Sequence, residues 1–286
     1  MKALVLGSKG QLGRQLVACA PAGSIVVQHD IDTLDICDHH ALRTSVESAR
    51  PDIIFNAAAF TNVDGAEAEE ETARKINGEA VGVLAAAARD LGAKLVHVST
   101  DYVFDGLSGR PYAPDAPTHP VSAYGRTKLA GERAAGDAAL IVRTAWVYST
   151  TGGNFVRTML RLFGERSEVR VVSDQMGTPT YAPDLAKALW TLAEKEASGV
   201  YHYTDSGAAS WYDFAVAIQE EALALQLLDK AIPIVPIPTS GYPTPATRPH
   251  YSVLDSTKTM AVLGGPAPHW RANLRLMLRA ISSEAR

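Results

Sequence analysis

Cysteine is nearly absent from this chain, which carries only Cys19 and Cys37. Neither has the close-spaced partner that a zinc site or a redox couple needs. A disulfide between them is open, and two isolated buried thiols are the simpler reading. Charge of one sign is missing too. Lysine and arginine number 27 against 31 aspartates and glutamates, a formal net charge of −4. A weakly acidic chain has no electrostatic means of gripping nucleic acid or an anionic membrane. An anionic ligand must then be held by local features such as helix N-termini and single arginines. Long apolar runs are also lacking, since no window approaches the roughly 20 residues that a membrane span needs. The apolar run near the N-terminus is four residues long and ends at Gly7, too short for a signal peptide. The expectation is a cytoplasmic protein without a membrane or nucleic-acid partner.

What is present is ordinary globular composition, 47% hydrophobic and 20% charged over 286 residues. Short β-rich runs alternate with longer helical patterns in the first half. Strands are predicted at 2–7, 24–30, 52–58, 94–100 and 139–148. Helices are predicted at 11–20, from Asp38 to the stop at Pro51, across 65–92, and at 121–136. Apolar strands without alternation, each followed by a helix, predict an α/β fold. It is a Rossmann-type doubly wound parallel sheet covered on both faces. The second half is less regular. Helices are predicted at 154–166, 183–197, 211–225 and about 270–282, with short strands at 168–172 and 199–203. Residues 233–249 are dense in proline and read as an extended binding loop or lid. The division expected is a dinucleotide-binding domain over 1–150 and a smaller substrate domain over 151–286. Segments near 169–203 are free to return to the first sheet, and the ligand cleft lies between the two units.

Two motifs carry chemistry. The first is Gly7-Ser8-Lys9-Gly10-Gln11-Leu12-Gly13, which ends a strand and opens a helix. Gly7 permits the tight turn, Gly10 lets the backbone approach a pyrophosphate, and Gly13 lets the helix pack closely on the strand. The helix N-terminus then offers free amides and its positive dipole end to the phosphates. Asp30, at the end of the second strand, stands where an acidic residue takes the adenosine ribose hydroxyls and so leans toward NAD. Lys9 and Arg14 lie near the same ribose and suit a 2′-phosphate, so NADPH and NADH both stay open. Asp35 and Ile36 flank the adenine side.

The second motif is Tyr124-x-x-x-Lys128 in a predicted helix after the fourth strand. Residues four apart share a helix face. A free tyrosine has a pKa of about 10 and is a poor acid at neutral pH. A neighbouring ammonium favours the phenolate and lowers that value. Thr100 closes the fourth strand, where ligands bind in open α/β sheets. Strand alternation turns Ser99 to the other side, so Thr100 is taken to polarise a carbonyl oxygen. The reaction expected is hydride transfer between a nicotinamide and a carbonyl carbon, with Tyr124 as proton donor and Lys128 tuning it.

Longer segments narrow the reading. FNAAAFTNVDGAE (55–67), STDYVFDG (99–106), PY (111–112), YGRTKLAGE (124–132) and RTAWVY (143–148) occur in order. NFVRTMLRL (154–162), SDQMGTPTYAPDLA (173–186), SWYDFA (210–215) and TRPHYSVLD (247–255) follow. Together they cover nearly the whole chain. The sequence resembles the dTDP-4-dehydrorhamnose reductase family of extended short-chain dehydrogenases/reductases.

That resemblance implies reduction of the 4-keto group of dTDP-4-dehydro-β-L-rhamnose with NADPH or NADH. It implies Thr100, Tyr124 and Lys128 as the catalytic set. Gly10, Gln11 and Leu12 meet the pyrophosphate, and Asp30, Asp35 and Ile36 lie on the adenosine side. Ala59, Phe60 and Thr61 line the cofactor, Phe60 standing where the family commonly has tyrosine. The dTDP-sugar side takes Thr100, Asp101, Trp146, Asn154 and Arg248, with Tyr212 a weaker candidate better explained by packing. Some relatives bind magnesium through acidic residues near the C-terminus and form a homodimer around it. The tail here offers only Glu284, so no metal ligand is assigned.

Competing readings separate on single residues. A 4,6-dehydratase would need an Asp-Glu pair after Thr100, and here Asp101 is followed by Tyr102. A 4-epimerase, a reductase giving the opposite alcohol, and a non-enzymatic NADP-binding regulatory subunit keep the same motifs and are separated by turnover.

Overall fold

A computed structural model describes residues 1–284, the side chain of Glu284 excepted. The chain opens as β1 (Lys2–Leu6), α1 (Gln11–Ala18), β2 (Ile25–His29), α2 (His39–Ala49) and β3 (Ile53–Asn56). The stretch expected as one helix over 65–92 is broken into α3 (Val63–Ala68), α4 (Glu70–Arg74), a π-helical turn (Lys75–Glu79) and α5 (Ala80–Leu91). Next come β4 (Lys94–Thr100), α6 (Ala123–Ala135) and β5 (Leu140–Thr144). The fifth strand is shorter than the expected 139–148. Trp146 adopts φ +48 and separates β5 from the two-residue β6 (Val147–Tyr148).

The second half contains α7 (Phe155–Glu165), β7 (Val169–Val172), β8 (Met176–Gly177), β9 (Thr180–Tyr181) and α8 (Ala182–Glu194). It continues through β10 (Gly199–His202), β11 (Ala209–Ser210), α9 (Trp211–Ala224) and β12 (Ile234–Ile237). It ends with α10 (Thr257–Leu263) and α11 (Trp270–Glu284). Asn154 and Ser210 begin α7 and α9 by accepting main-chain amides, the latter in a reciprocal capping box with Asp213.

The central sheet has six parallel strands in the order β10-β5-β4-β3-β1-β2. The strand order reverses beside β1, the point at which open α/β sheets bind ligands. One face buries Leu4, Leu6, Ile54 and Leu95 against α2 and α5. The other buries Val5, Phe55, Val96 and Val142 against α1 and α8. Trp190 of α8 lies 4.4 Å, ring to ring, from Phe55 and donates its indole N–H to the Leu16 carbonyl at 2.9 Å. A separate core forms where α7, α9 and α11 meet the β7 pair, around Val156, Phe214, Trp270 and Met277.

The segments near 169–203 go two ways. β10 returns to the central sheet beside β5, and α8 packs under that sheet. β7 pairs instead with β12 in a two-stranded sheet of its own. That pairing corrects the reading of 233–249 as loop throughout. β12 contains Pro236 yet pairs with β7 alone, so the amide that proline lacks is not needed on its free edge. Cys19 and Cys37 are free and only half-buried. Among the described residues no helix is long and apolar enough to cross a membrane.

Candidate active site

One cavity of about 810 Å³ runs over the C-terminal ends of the central strands. The glycine loop forms one wall. Gly7 sits at φ +73, and a Cβ there would lie 2.7 Å from the Ala58 amide on β3's extension, so only glycine fits the turn. A Cβ on Gly13 would come within 2.0 Å of the Gly7 carbonyl, which is why α1 can lie against the loop. At Gly10 a Cβ would meet only the Gly7 carbonyl, at 3.2 Å, and otherwise stand free beside the cavity.

Gly10 is also the N-cap of α1. No side chain caps that end and no acidic residue occupies the first turn. Its free amides, from Gln11 onward, face the wall of the cavity that Gln11, Leu12 and Gly13 line. An uncapped helix end with a glycine at its tip suits a pyrophosphate. The residues present therefore fit a dinucleotide.

Asp30, Asp35, Ile36, Ala59 and Thr61 also line the cavity. Asp30 has a task that its position alone did not indicate. Its carboxylate accepts the Lys9 amide at 2.7 Å and the Ile31 amide at 2.9 Å, and so anchors the glycine loop. The Lys9 ammonium pairs with Asp32, and Arg14 folds back on the Lys9 carbonyl at 2.8 Å. Gln11 turns its side chain away from the loop. It donates to the Gly153 carbonyl at 3.1 Å and accepts from Asn154 at 2.9 Å, strapping the first half of the chain to the second.

Thr100, Asp101, Tyr124 and Lys128 line the same cavity. Ser122 caps α6, and that helix sets Tyr124 and Lys128 on one face. Lys128 is 2% exposed and donates to the Val98 carbonyl at 2.7 Å. Burial pushes its pKa down to about 8, and the charge of Glu132 works the other way. Burial pushes the Tyr124 phenol up to about 12, with the nearby Thr100 hydroxyl acting in the opposite direction. The expected lowering by Lys128 is not what sets the phenol here: burial and the charge of Asp101 both push it upward. Thr100 donates to Asp101 at 3.0 Å. Asp101 is itself pushed up to about 6 by burial, and one of its carboxyl oxygens has no partner.

Other sequence candidates fall differently. Trp146 lines the cavity and stacks on Trp211, with ring centroids 3.5 Å apart. Phe60 is absent from the lining and, like Tyr124, packs against the small cluster of Ala66, Ala73 and Ala123. Asn154 also stands outside. Its amide donates to Gln11 and to the Ser149 carbonyl while its oxygen caps α7. Arg248 stands outside as well, held on the Asp64 carboxylate at 2.9 and 3.0 Å. A cation reserved for a diphosphate would need that pair to open. Tyr212 packs in the second core.

The family model described as "RmlD substrate binding domain" matches residues 1–283. The chain belongs to that family. Within it, the dTDP-4-dehydrorhamnose reductase of Burkholderia thailandensis is 44% identical over 99% of this chain and 100% of that protein. The dTDP-4-keto-6-deoxy-D-glucose reductase of Streptomyces niveus is 43% identical over 95% of this chain and 94% of that protein. A crystal structure of dTDP-4-dehydrorhamnose reductase from Bacillus anthracis in complex with NADP is 34% identical. It covers 98% of this chain and 99% of its own, with a TM-score of 0.91. The fold and the nicotinamide cofactor class of the family are those read from the glycine loop.

Three residues at this site escaped the sequence reading. Asn77, in the π-helical turn, takes both main-chain groups of Phe60, at 2.9 and 3.2 Å, and so fixes the cavity wall. Trp211 backs Trp146. Glu132 closes the quoted YGRTKLAGE segment and meets Arg143, the first residue of RTAWVY. A polar residue in a helical run or an arginine in an apolar strand was the available signal, and neither names its partner.

Among the described residues no group of three or more His, Cys, Asp or Glu could hold a metal ion. The side chain of Glu284, the magnesium candidate, lies outside the described residues.

Proposed function

We infer that this protein reduces the 4-keto group of dTDP-4-dehydro-β-L-rhamnose to give dTDP-L-rhamnose, using NADPH or NADH. The observation that carries the reading is the meeting of Tyr124, Lys128 and Thr100 with the uncapped glycine loop in a single cavity. The cofactor, when bound, supplies the hydride to C4. Gln11 and Leu12 hold its pyrophosphate by their amides, Gly10 leaves room for it by lacking a side chain, and the adenosine lies toward Asp30, Asp35 and Ile36.

The remaining chemistry is a single proton. Tyr124 is protonated at neutral pH, because burial has raised its phenol, and it gives that proton to the ketone oxygen as the hydride arrives. Lys128, mostly an ammonium below pH 8, stabilises the phenolate left behind. The Thr100 hydroxyl turns from Asp101 to the same oxygen and supports the negative charge that develops on it. Asp101 and Trp146 border the sugar. The substrate unit is residues 151–286 without α8, β10 and α10, which pack with the cofactor unit.

The test is oxidation of NADPH and of NADH followed at 340 nm with dTDP-4-dehydro-L-rhamnose, the product being identified by NMR. dTDP-L-rhamnose is expected. The Streptomyces niveus relative favours a second reading, in which the substrate is another dTDP-linked 4-keto sugar. That reading is preferred if the 6-deoxy-D-sugar ketone is turned over faster.

A further inference from the structure

The face of α6 that carries Tyr124 and Lys128 continues for one more turn to Glu132. Its side chain is buried, where an unpaired carboxylate would be costly. Its partner is Arg143, at the C-terminal end of β5. The Arg143 Nε and Nη2 reach the two Glu132 oxygens at 2.8 and 2.7 Å. The Ser99 hydroxyl donates to the same carboxylate at 2.5 Å. Arg143 Nη1 continues to the Pro114 carbonyl at 3.2 Å and stands 3.3 Å from the His202 ring on β10. One ion pair therefore ties α6 to three adjacent strands and to the segment that precedes the helix.

Consecutive residues of β4 meet the α6 face. The Val98 carbonyl accepts from Lys128 and Ser99 donates to Glu132, while Thr100, next along the strand, shares the cavity wall with Tyr124 and Lys128. Lys128 belongs to the groups assigned to the reaction. Glu132 stands outside the cavity lining.

We propose that the Glu132–Arg143 pair is a positioning device, holding α6 in the register against β4 that brings Tyr124 and Lys128 to Thr100. The proposal rests on the catalytic roles given above to those three residues. Stability alone is a weak reason for such a pair, since apolar residues of similar volume often serve as well or better. A bidentate fork, by contrast, fixes both distance and orientation. The pair also acts on charge. The groups around Lys128 are His97 from β4, kept neutral by burial, Glu132 on its own helix with Arg143 behind it, and Tyr124 and Asp101 at the site. Glu132 is the neighbour whose charge keeps the ammonium protonated.

The test uses the full chain and three variants. The double variant Glu132→Leu/Arg143→Met removes both buried charges together and leaves neither uncompensated. It is expected to fold, to bind NADPH as the parent does, and to lose about 100-fold in kcat, the cost of a misplacement of about 1 Å. The alkaline limb of its kcat–pH profile is expected to move to lower pH, because Lys128 has lost the charge that kept it protonated. Ser99→Ala, which removes only one hydrogen bond, should show a smaller fall in kcat with unchanged NADPH affinity. Tyr124→Phe is the control on the underlying reading: full activity there removes the catalytic assignment itself. With Tyr124→Phe inactive, a folded double variant with the parental kcat and pH profile overturns the positioning role. A double variant that does not fold, alongside a fully active Ser99→Ala, overturns it as well and assigns the pair to stability.

Discussion

Replacing Gly13 with alanine isolates the packing that shapes the cofactor wall. The added Cβ would stand 2.0 Å from the Gly7 carbonyl oxygen and 2.7 Å from the Gly7 carbonyl carbon and the Ser8 Cα. All three are main-chain atoms, so no side chain can swing aside. The start of α1 must move by about 1 Å to restore ordinary contact distances, and overpacking of this kind costs roughly 1–3 kcal/mol. For a chain of this size that lowers Tm by about 2–5 °C. The displaced amides also lose good geometry toward an anion. A hydrogen bond to a charged group is worth about 1.5–3 kcal/mol, so NADPH affinity should fall by roughly 10–150-fold. Gly164→Ala is the control. It lies in α7 with nothing within 4 Å of the added Cβ, so alanine there should be neutral or stabilise by about 0.4–1 kcal/mol. Urea denaturation and NADPH fluorescence titration read both quantities. Equal stability and equal NADPH affinity for the two variants would refute the reasoning.

Tyr124→Phe removes the proton donor and little else. Its kcat should fall by about 10²–10⁴-fold with NADPH binding unchanged, and retention of most of the kcat would end that assignment. Trp190→Ala removes the ring that joins α8 to Phe55 and Leu16 and should cost about 3–5 kcal/mol, read by urea denaturation. A cost below 1 kcal/mol would mean that α8 is not anchored there. Asp205 supplies a pH test. Burial raises its carboxyl to about 7, and one oxygen has no partner. Its pKa is therefore higher folded than unfolded, and the unfolded chain releases this proton first. Stability is fullest below about pH 4 and declines as pH rises toward 7. Asp205→Asn should accordingly stabilise the protein at pH 8 by about 1–3 kcal/mol and change little at pH 4. An equal effect at both pH values would contradict this account.

The parts legible in the sequence are those decided over a few residues. Val5, Phe55 and Val96 lie in short apolar runs between turns, and a run without alternation is buried on both faces wherever the chain goes. The glycine loop was legible because a positive φ at Gly7 and a missing Cβ at Gly13 are local demands. Tyr124 and Lys128 were placed on one face by helical spacing alone. Partners distant along the chain were decided only by the tertiary structure. Asp30 anchors the Lys9 amide instead of standing free, Arg248 is held by Asp64, and Glu132 finds Arg143. β10 returns to the first sheet, while β12 forms around a proline because β7 offers one edge. Trp146 leaves strand geometry to stack on Trp211, over a glycine whose Cβ would meet its ring at 2.6 Å. A residue's type states which bonds it can make. Which of those bonds it makes depends on what the fold brings beside it, since burial requires every polar group to find whichever partner lies within reach.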